Sequence, residues 1–469
     1  MLNKKYSDKL LGYQRKHTSK LINIIKANNV VLDASDTGTG KTYCAIATCA
    51  QLGLNPLIIC PKAVISSWKK VCHIFSIKPF AIVNYESIKY GKSYDSKGNR
   101  IVCPFIDASL TDNFLPFQRG NVNYKWKIPK NCIFIFDEAH RCAKIGSLNN
   151  LLLHTAKDTR LPIMILSATI TDNPKKFKFF YYVLNFIDDT NYDKYSNNDV
   201  NIEHIPFEKY VRYVKKIISE TSDPSTTIHK MLYPNRAARM IISKLGKLFP
   251  DNQIDAIPYN VGKTREKQIQ HEHMIIKKAL KELKKKDRRK KPSLLVKILR
   301  ARQKIELLKV PTFVELANDF KSKKNSIAIF VNFTQTLQTL ATLLHTNCLV
   351  YSEQTIEERM TNINNFQENT EQIIICNIKA GGVGVSLHDI HGGHPRISLI
   401  SPTWSGIELV QTLGRIHRSG GKSKSIQRII FAANTIEESI AKRLKTKLAD
   451  INKINDGNLS EILVDFKTK

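Results

Sequence analysis

The stretch Ala34-Ser35-Asp36-Thr37-Gly38-Thr39-Gly40-Lys41-Thr42 decides how this chain is read. An apolar run, Val30-Val31-Leu32, precedes it, and a helix-like run from Tyr43 to Leu52 follows. Strand, glycine turn and helix in that order wrap backbone N–H groups around a phosphate. Gly38 and Gly40 allow the backbone to come close, with Thr39 between them. Lys41 reaches the β- and γ-phosphates, and the Thr42 hydroxyl is suited to Mg²⁺. The general phosphate-loop pattern asks for glycine where Ser35 stands, whereas its core from Gly38 to Thr42 is intact.

Working outward, the apolar runs repeat. Pro56 to Pro61, Phe80 to Val83, Ile133 to Phe136 and Ile163 to Leu166 alternate with helix-like segments. That alternation predicts a parallel sheet with helices on both faces. Such sheets carry their chemistry at the carboxyl ends of strands. Asp137-Glu138-Ala139-His140 and Ser167-Ala168-Thr169 stand at such ends. Asp137 is placed to hold Mg²⁺ together with Thr42, and Glu138 to orient or deprotonate an attacking water. Upstream, Leu10-Leu11-Gly12-Tyr13-Gln14 opens a helix-like segment. An aromatic–Gln pair there is either an ordinary helix start or an adenine contact. Residues 92–130 read as a polar, irregular surface insertion containing Phe114, Phe117, Tyr124 and Trp126.

A second α/β series begins after Pro311, with strands at Ile327 to Val331, Gln372 to Cys376 and Arg396 to Ile400. It has no phosphate loop. It has instead a glycine turn, Lys379-Ala380-Gly381-Gly382-Val383-Gly384, and the run Gln411 to Arg418. Helical spacing puts Arg415 and Arg418 on one face. Their guanidinium groups suit the charge that develops on a transferring phosphoryl group. The expected division is residues 1–190 as a nucleotide-binding lobe, 191–310 as a linker and basic helical insertion, and 311–469 as a second lobe. Lys277 to Lys291 holds ten Lys or Arg, which suits either phosphate contact or a solvated helix face.

Composition fits this reading. Lys and Arg outnumber Asp and Glu by 73 to 41, a net charge of +32, which points to a polyanionic partner, most simply nucleic acid. The nine cysteines show no Cys-x-x-Cys and read as buried, reduced thiols of an intracellular protein. The start is polar and basic, unlike a signal peptide. No apolar run approaches the ~18 residues of a membrane span.

Taken together, these motifs resemble those of superfamily 2 helicases and translocases. The resemblance implies two RecA-like lobes, ATP and Mg²⁺ as cofactors, and nucleic acid as partner, DNA over RNA. It implies that Gln14 reads adenine, that Ser167 and Thr169 couple hydrolysis to movement, and that the turn at Gly381 to Gly384, Gly382 included, meets nucleic acid and nucleotide. Cys60-Pro61-Lys62, Trp68-Lys69-Lys70, Lys379 to Gly384, and Trp404 ahead of Gln411 are similar to the Swi/Snf branch. That likeness implies nucleic-acid contacts at Lys62, Lys379 and Trp404 and a duplex grip at Trp68. Ser167-Ala168-Thr169 instead follows the strand-separating helicases, and Ser405-Gly406 replaces the branch's Asn-Pro. Leu232 to Arg239 and Arg302 to Lys309 are similar to helicase-like proteins of large cytoplasmic DNA viruses. That implies host cytoplasm or virion as location, and transcription or replication proteins as further partners. An RNA helicase or transcript-release factor is the alternative motor. A nucleotide-switched scaffold is the alternative outside enzymes, and a restriction subunit ranks last because no acidic cluster has nuclease-like spacing.

Overall fold

Alternate residues of a strand face opposite sides of a sheet, so a strand buried on both sides is apolar throughout. The apolar runs obey this in a computed structural model of the chain, which describes residues 2–95, 98–110, 122–186, 221–285, 291–381, 384–456 and 465–466. Strands β1 (Val30–Asp33), β2 (Asn55–Cys60), β3 (Ala81–Asn84), β8 (Cys132–Asp137), β9 (Ile163–Leu166) and β10 (Ala237–Ala238) form one sheet in the order β10-β1-β9-β8-β2-β3. All of its pairings are parallel. Val30, Leu32, Leu57, Ile59, Phe134 and Phe136 pack into the core on one face. Val31, Ile58, Ile133, Ile135 and Met164 pack into the core on the other. Burying each such side chain contributes about 1.5–3 kcal/mol.

Between β3 and β8 the chain makes two antiparallel ribbons. One pairs β4 (Lys92–Tyr94) with β5 (Arg100–Val102), and the other pairs β6 (Ile106–Leu110) with β7 (Val122–Trp126). This corrects the irregular insertion expected there. Cys103, Phe105, Ile106 and Tyr124 from these ribbons join the first core.

The second sheet contains β11 (Asn252–Tyr259), β12 (Ser326–Val331), β13 (Leu349–Val350), β14 (Ile373–Asn377), β15 (Arg396–Ile400), β16 (Ser425–Ala432) and β17 (Asp465–Phe466). Its order is β13-β14-β12-β15-β16-β11-β17, again all parallel. Helices Val310–Ser322 and Thr334–Leu344 cover one face, where Phe313, Leu337 and Leu340 meet Ile327, Ile329 and Ile375.

The chain divides into two compact units, residues 1–245 with 450–460, and 246–449 with 461–469. The second unit therefore starts well before 311. The stretch expected as a basic insertion supplies β11 and two mutually packed helices, Lys263–Lys284 and Lys291–Leu308, to that unit. Ile269, Ile276, Leu294, Ile298 and Ile305 make their shared apolar seam. The last long helix, Glu437–Asp456, has residues in both units. No helix of the described residues is long and apolar enough to cross a membrane.

Candidate active site

Register sets the site. Asp33, Leu166 and Asp137 lie side by side at the carboxyl ends of β1, β9 and β8. The chain leaves β1 into the phosphate loop and enters the helix Lys41–Leu52. Gly38 (φ 84°) and Gly40 (φ 91°) take the left-handed conformation that glycine adopts without strain. A Cβ on Gly40 would stand 2.2 Å from Gln14 Nε2, so any other residue there would have to displace that amide. Thr39 is buried and its hydroxyl donates to the Asp36 carbonyl at 2.8 Å. Lys41 Nζ donates to the carbonyls of Ser35 (2.8 Å) and Asp36 (3.0 Å), which holds its ammonium within the loop. Thr42 sits in the helix's first turn, where the dipole favours anions.

The departure at Ser35 has a structural reason. Ser35 is fully buried, its Oγ accepts from Met240 N at 2.9 Å, and it lies 3.2 Å from His17 Nε2. The same imidazole nitrogen is 3.1 Å from Asp33 Oδ1, which also accepts from Ser35 N at 3.0 Å. Burial opposes ionisation of Asp33, but His17, Lys41 and the Ser35 hydrogen bond together outweigh it and hold this carboxyl below the usual range. A serine at this position thus ties the loop to a buried His–Asp pair.

Gln14 is buried against the loop: its Nε2 donates to Thr39 O at 3.0 Å and its Oε1 accepts from Leu11 N at 2.9 Å. Tyr13 donates its hydroxyl to the same Thr39 carbonyl at 3.2 Å.

Asp137 is held by three contacts. Its Oδ2 accepts from Trp68 Nε1 at 2.9 Å, its Oδ1 from Glu138 N at 3.0 Å, and its carbonyl from the Tyr85 hydroxyl at 2.8 Å. Withdrawal from water, then the adjacent Glu138 carboxylate, pushes Asp137 up to about 6. Trp68 is completely buried. The duplex grip expected of Trp68 is corrected: its indole orients Asp137, while Lys69 and Lys70 beside it are exposed.

Glu138 has φ 53°, which turns its side chain back toward His140, with Oε2 3.4 Å from Nδ1. That Nδ1 is also 3.4 Å from Ser167 Oγ. A chain of polar contacts thus runs from Glu138 to the Ser167-Ala168-Thr169 stretch. Thr169 Oγ1 is buried without a hydrogen-bond partner among the described residues.

Among the described residues no group of three or more His, Cys, Asp or Glu is arranged to hold a metal. Thr42 and Asp137 still fit Mg²⁺, which is held by one or two protein oxygens plus phosphates. The Asp137 carboxylate is buried beside Glu138, and a cation there would offset their mutual repulsion.

The remaining expected residues, Lys62 apart, lie in the second unit. The helix Gly406–Leu413 ends at Gly414, so Arg415 and Arg418 follow it and do not share a helical face as expected. They are aligned by the segment after the glycine turn. Arg415 is buried and donates to the carbonyls of Gln411 (2.8 Å) and Val385 (3.3 Å). Arg418 donates to Ser386 Oγ at 2.6 Å and Gly414 O at 2.9 Å. Lys62 and Lys379 are exposed. Trp404 is half-buried with the Arg302 guanidinium 4.6 Å over its ring. Gly381 ends a short helix, and Gly382 lies outside the described residues. In Arg302 to Lys309, Glu306 accepts from Asn332 N (2.9 Å) and Ser401 Oγ (2.6 Å), and Lys309 forms a buried pair with Glu437 at 2.8 Å.

Three comparisons bear on this site. Residues 7–172 match the family described as type III restriction enzyme, res subunit, and residues 308–420 match the helicase conserved C-terminal domain. A protein of Acanthamoeba polyphaga mimivirus named for ATP-dependent RNA helicase activity is 38% identical over 470 residues, covering 98% of this chain and 86% of the relative. The DNA repair and recombination protein RAD54 of Saccharomyces cerevisiae is 28% identical over 149 residues, 30% of this chain and 15% of that one. Among solved structures, S. cerevisiae Dbp5 bound to RNA and ADP BeF3 is similar with a TM-score of 0.48 and 13% identity, covering 99% of this chain and 94% of that chain. The phosphate loop, the Asp137-Glu138 strand end and the extent of the viral match lead to one conclusion: the chain belongs to the superfamily 2 helicases and is an ATP-hydrolysing enzyme of the helicase type.

Proposed function

We propose that this motor moves along double-stranded DNA and separates strands weakly. ATP is its nucleotide and Mg²⁺ its metal, held by Thr42 and Asp137. Bound there, the metal would offset the negative charge of the phosphates. Lys41 leaves the Ser35 and Asp36 carbonyls for phosphate oxygens. Glu138 orients the attacking water and, through His140, links hydrolysis to Ser167. Gln14 contacts adenine from its place on the loop, and Gln411, Arg415 and Arg418 act in hydrolysis, the two arginines by offsetting charge on the transferring phosphoryl group. Exposed Lys62, Lys69, Lys70 and Lys379 contact the backbone of the nucleic acid.

One observation carries the weak-separation part. A strand-splitting wedge needs exposed aromatic or apolar side chains. Tyr124 is 4% exposed with its hydroxyl on Lys89 O. Trp126 packs edge-on against Phe134 and donates to Thr155 Oγ1 at 3.0 Å. Neither is free to stack on bases. Phe114 and Phe117 lie outside the described residues. The match to RAD54, named for DNA repair and recombination, supports DNA as the track.

A second reading, an RNA helicase, has its own support. The mimivirus relative is named for it. The β4–β5 hairpin exposes Tyr94 (45%), Ile101 (38%) and Val102 (70%), apolar side chains of the kind that a strand-parting wedge uses. One preparation decides between them. ATPase stimulation by duplex DNA, single-stranded DNA and RNA ranks the tracks. Triplex displacement reports duplex tracking, and release of a labelled strand from a fork reports unwinding. Strong fork release that Val102→Ser abolishes, without triplex displacement, replaces the first reading by the second.

A further inference from the structure

The first half of the phosphate loop is held from far away in sequence. Ala34 N donates to Ala238 O at 2.9 Å, Asp36 N to Met240 O at 3.0 Å, and Met240 N to Ser35 Oγ at 2.9 Å. Residues 238–240 therefore line the loop as a strand partner would. Asp36 needs such company. A carboxylate in a loop that binds phosphates repels them unless its charge is answered.

Both oxygens of Asp36 are engaged. Oδ1 is 2.8 Å from Arg239 Nη2, and Oδ2 accepts from Ile242 N at 2.9 Å. Arg239 has a side chain only 9% exposed, and its Nη1 donates to Ala34 O at 3.4 Å. Its Nε lies 3.0 Å from Asp456 Oδ1, in the last turn of the helix Glu437–Asp456. One planar guanidinium thus joins a loop carboxylate, a loop carbonyl and a carboxylate of the chain's last long helix. That turn is itself well fixed. Asn455 Nδ2 donates to Ala168 O at 3.0 Å, Lys453 pairs with Asp223 at 2.9 Å, and Ser225 Oγ donates to Asp450 at 3.0 Å.

We propose that Arg239 is a positioning residue for ATP, and that Asp456 makes ATP affinity depend on whether the turn at 450–456 is docked. This rests on the reading that the Lys41 loop holds the triphosphate. With the turn docked, Arg239 is aimed at Asp36 and the loop meets phosphate as a neutral cradle. With the turn displaced, Arg239 loses its rear anchor, Asp36 is left facing the triphosphate, and affinity falls. A ligand or partner that grips residues 450–456 would then tune ATP binding without entering the nucleotide site. Arginine suits this task where lysine does not, because its planar cation hydrogen-bonds Asp36 while lying beside the Asp456 carboxylate.

The test uses the full chain, with steady-state ATPase and binding of a fluorescent ATP analogue. Arg239→Gln should raise KM and Kd for ATP on the order of tenfold with kcat changed about twofold at most, the scale of a contacting charge pair. Asp456→Asn should move KM the same way by a smaller factor, and it reports the link even if Arg239→Gln is poorly folded. Adding Asp36→Asn to Arg239→Gln should restore KM, since the charge that Arg239 answers is gone. A purely architectural role would lower the melting temperature, leave KM unchanged and show no rescue, and that result overturns the proposal. Lys41→Ala separates the two levels. If it loses ATP binding while Arg239→Gln binds normally, only the present inference fails; if it binds and hydrolyses normally, the loop is not the triphosphate site and both fail.

Discussion

Lys41 and Glu138 occupy different ends of the same chemistry, so their loss should differ. Lys41→Ala removes a phosphate contact, and both ATP binding and hydrolysis should fall. Glu138→Gln keeps the shape of the side chain and should leave ATP bound without turnover; equal ATPase in either variant and wild type would remove that residue from catalysis. Trp68→Phe is a subtler case. It deletes the indole donor to Asp137 Oδ2 and leaves a carboxylate oxygen short of a partner. A cost of about 1–3 kcal/mol in stability is expected, with a loss of kcat, measured by denaturant unfolding and ATPase on one preparation. At this scale the sequence was legible wherever function is local. The run Gly38 to Thr42 and the pair Asp137-Glu138 carry their meaning within a few residues. Trp68 reads as a surface grip because lysines follow it, and only the fold shows its ring turned inward. Arg239 stands out in the sequence only as the end of the stretch Leu232 to Arg239, and its role does not, since its partner Asp36 lies 203 residues away.

Elements were legible in proportion to their apolar runs. β1, β8, β9 and β12 rest on nearly unbroken apolar runs and were foreseen, as was β15 despite Arg396 and Ser398. β11 was not, because Asp255 and Pro258 argue against a buried strand. The β4–β5 and β6–β7 ribbons were missed because their strands are short and pair locally. The helix pair Lys263–Lys284 and Lys291–Leu308 shows how a basic stretch reaches two ends. Its apolar seam faces inward while Lys277, Lys278, Lys281 and Lys284 are exposed. Neutralising these four should flatten the plot of log affinity against log salt by roughly 0.9 for each duplex phosphate that the protein no longer neutralises. An unchanged slope would leave them as a solvated face. The same helix carries a titration. Burial, and then the Lys309 ammonium, hold His273 down to about 4 from an ordinary 6.5. Its folded value lies below its unfolded one, so the unfolded chain binds the extra proton between these limits. Stability is undiminished above 6.5 and falls as pH drops toward 4, and His273→Leu should reduce that slope in melting curves.

For the whole molecule, two parallel sheets were foreseen and their boundary was not, because residues 246–310 read as polar helix and loop although they build part of the second unit. Arg418→Ala should leave nucleotide binding nearly intact and lower hydrolysis on the order of 10³-fold, the scale of an arginine finger. Arg415 is buried against Gln411 and Val385, so Arg415→Ala should also lower the melting temperature. A fall in melting temperature without a separate fall in kcat would make it structural.

All nine cysteines are free and buried. Burial pushes Cys72 up to about 11 and Cys142 and Cys348 to about 12, so almost no thiolate exists near neutral pH. An alkylating reagent therefore meets an inert protein until a region opens, and each labelled thiol timestamps one opening. Cys44 and Cys49 report from the first unit, and Cys348 and Cys376 from the second. Mass-spectrometric readout of alkylation with and without ATP would give separate opening clocks for the two units, with no label or mutation introduced.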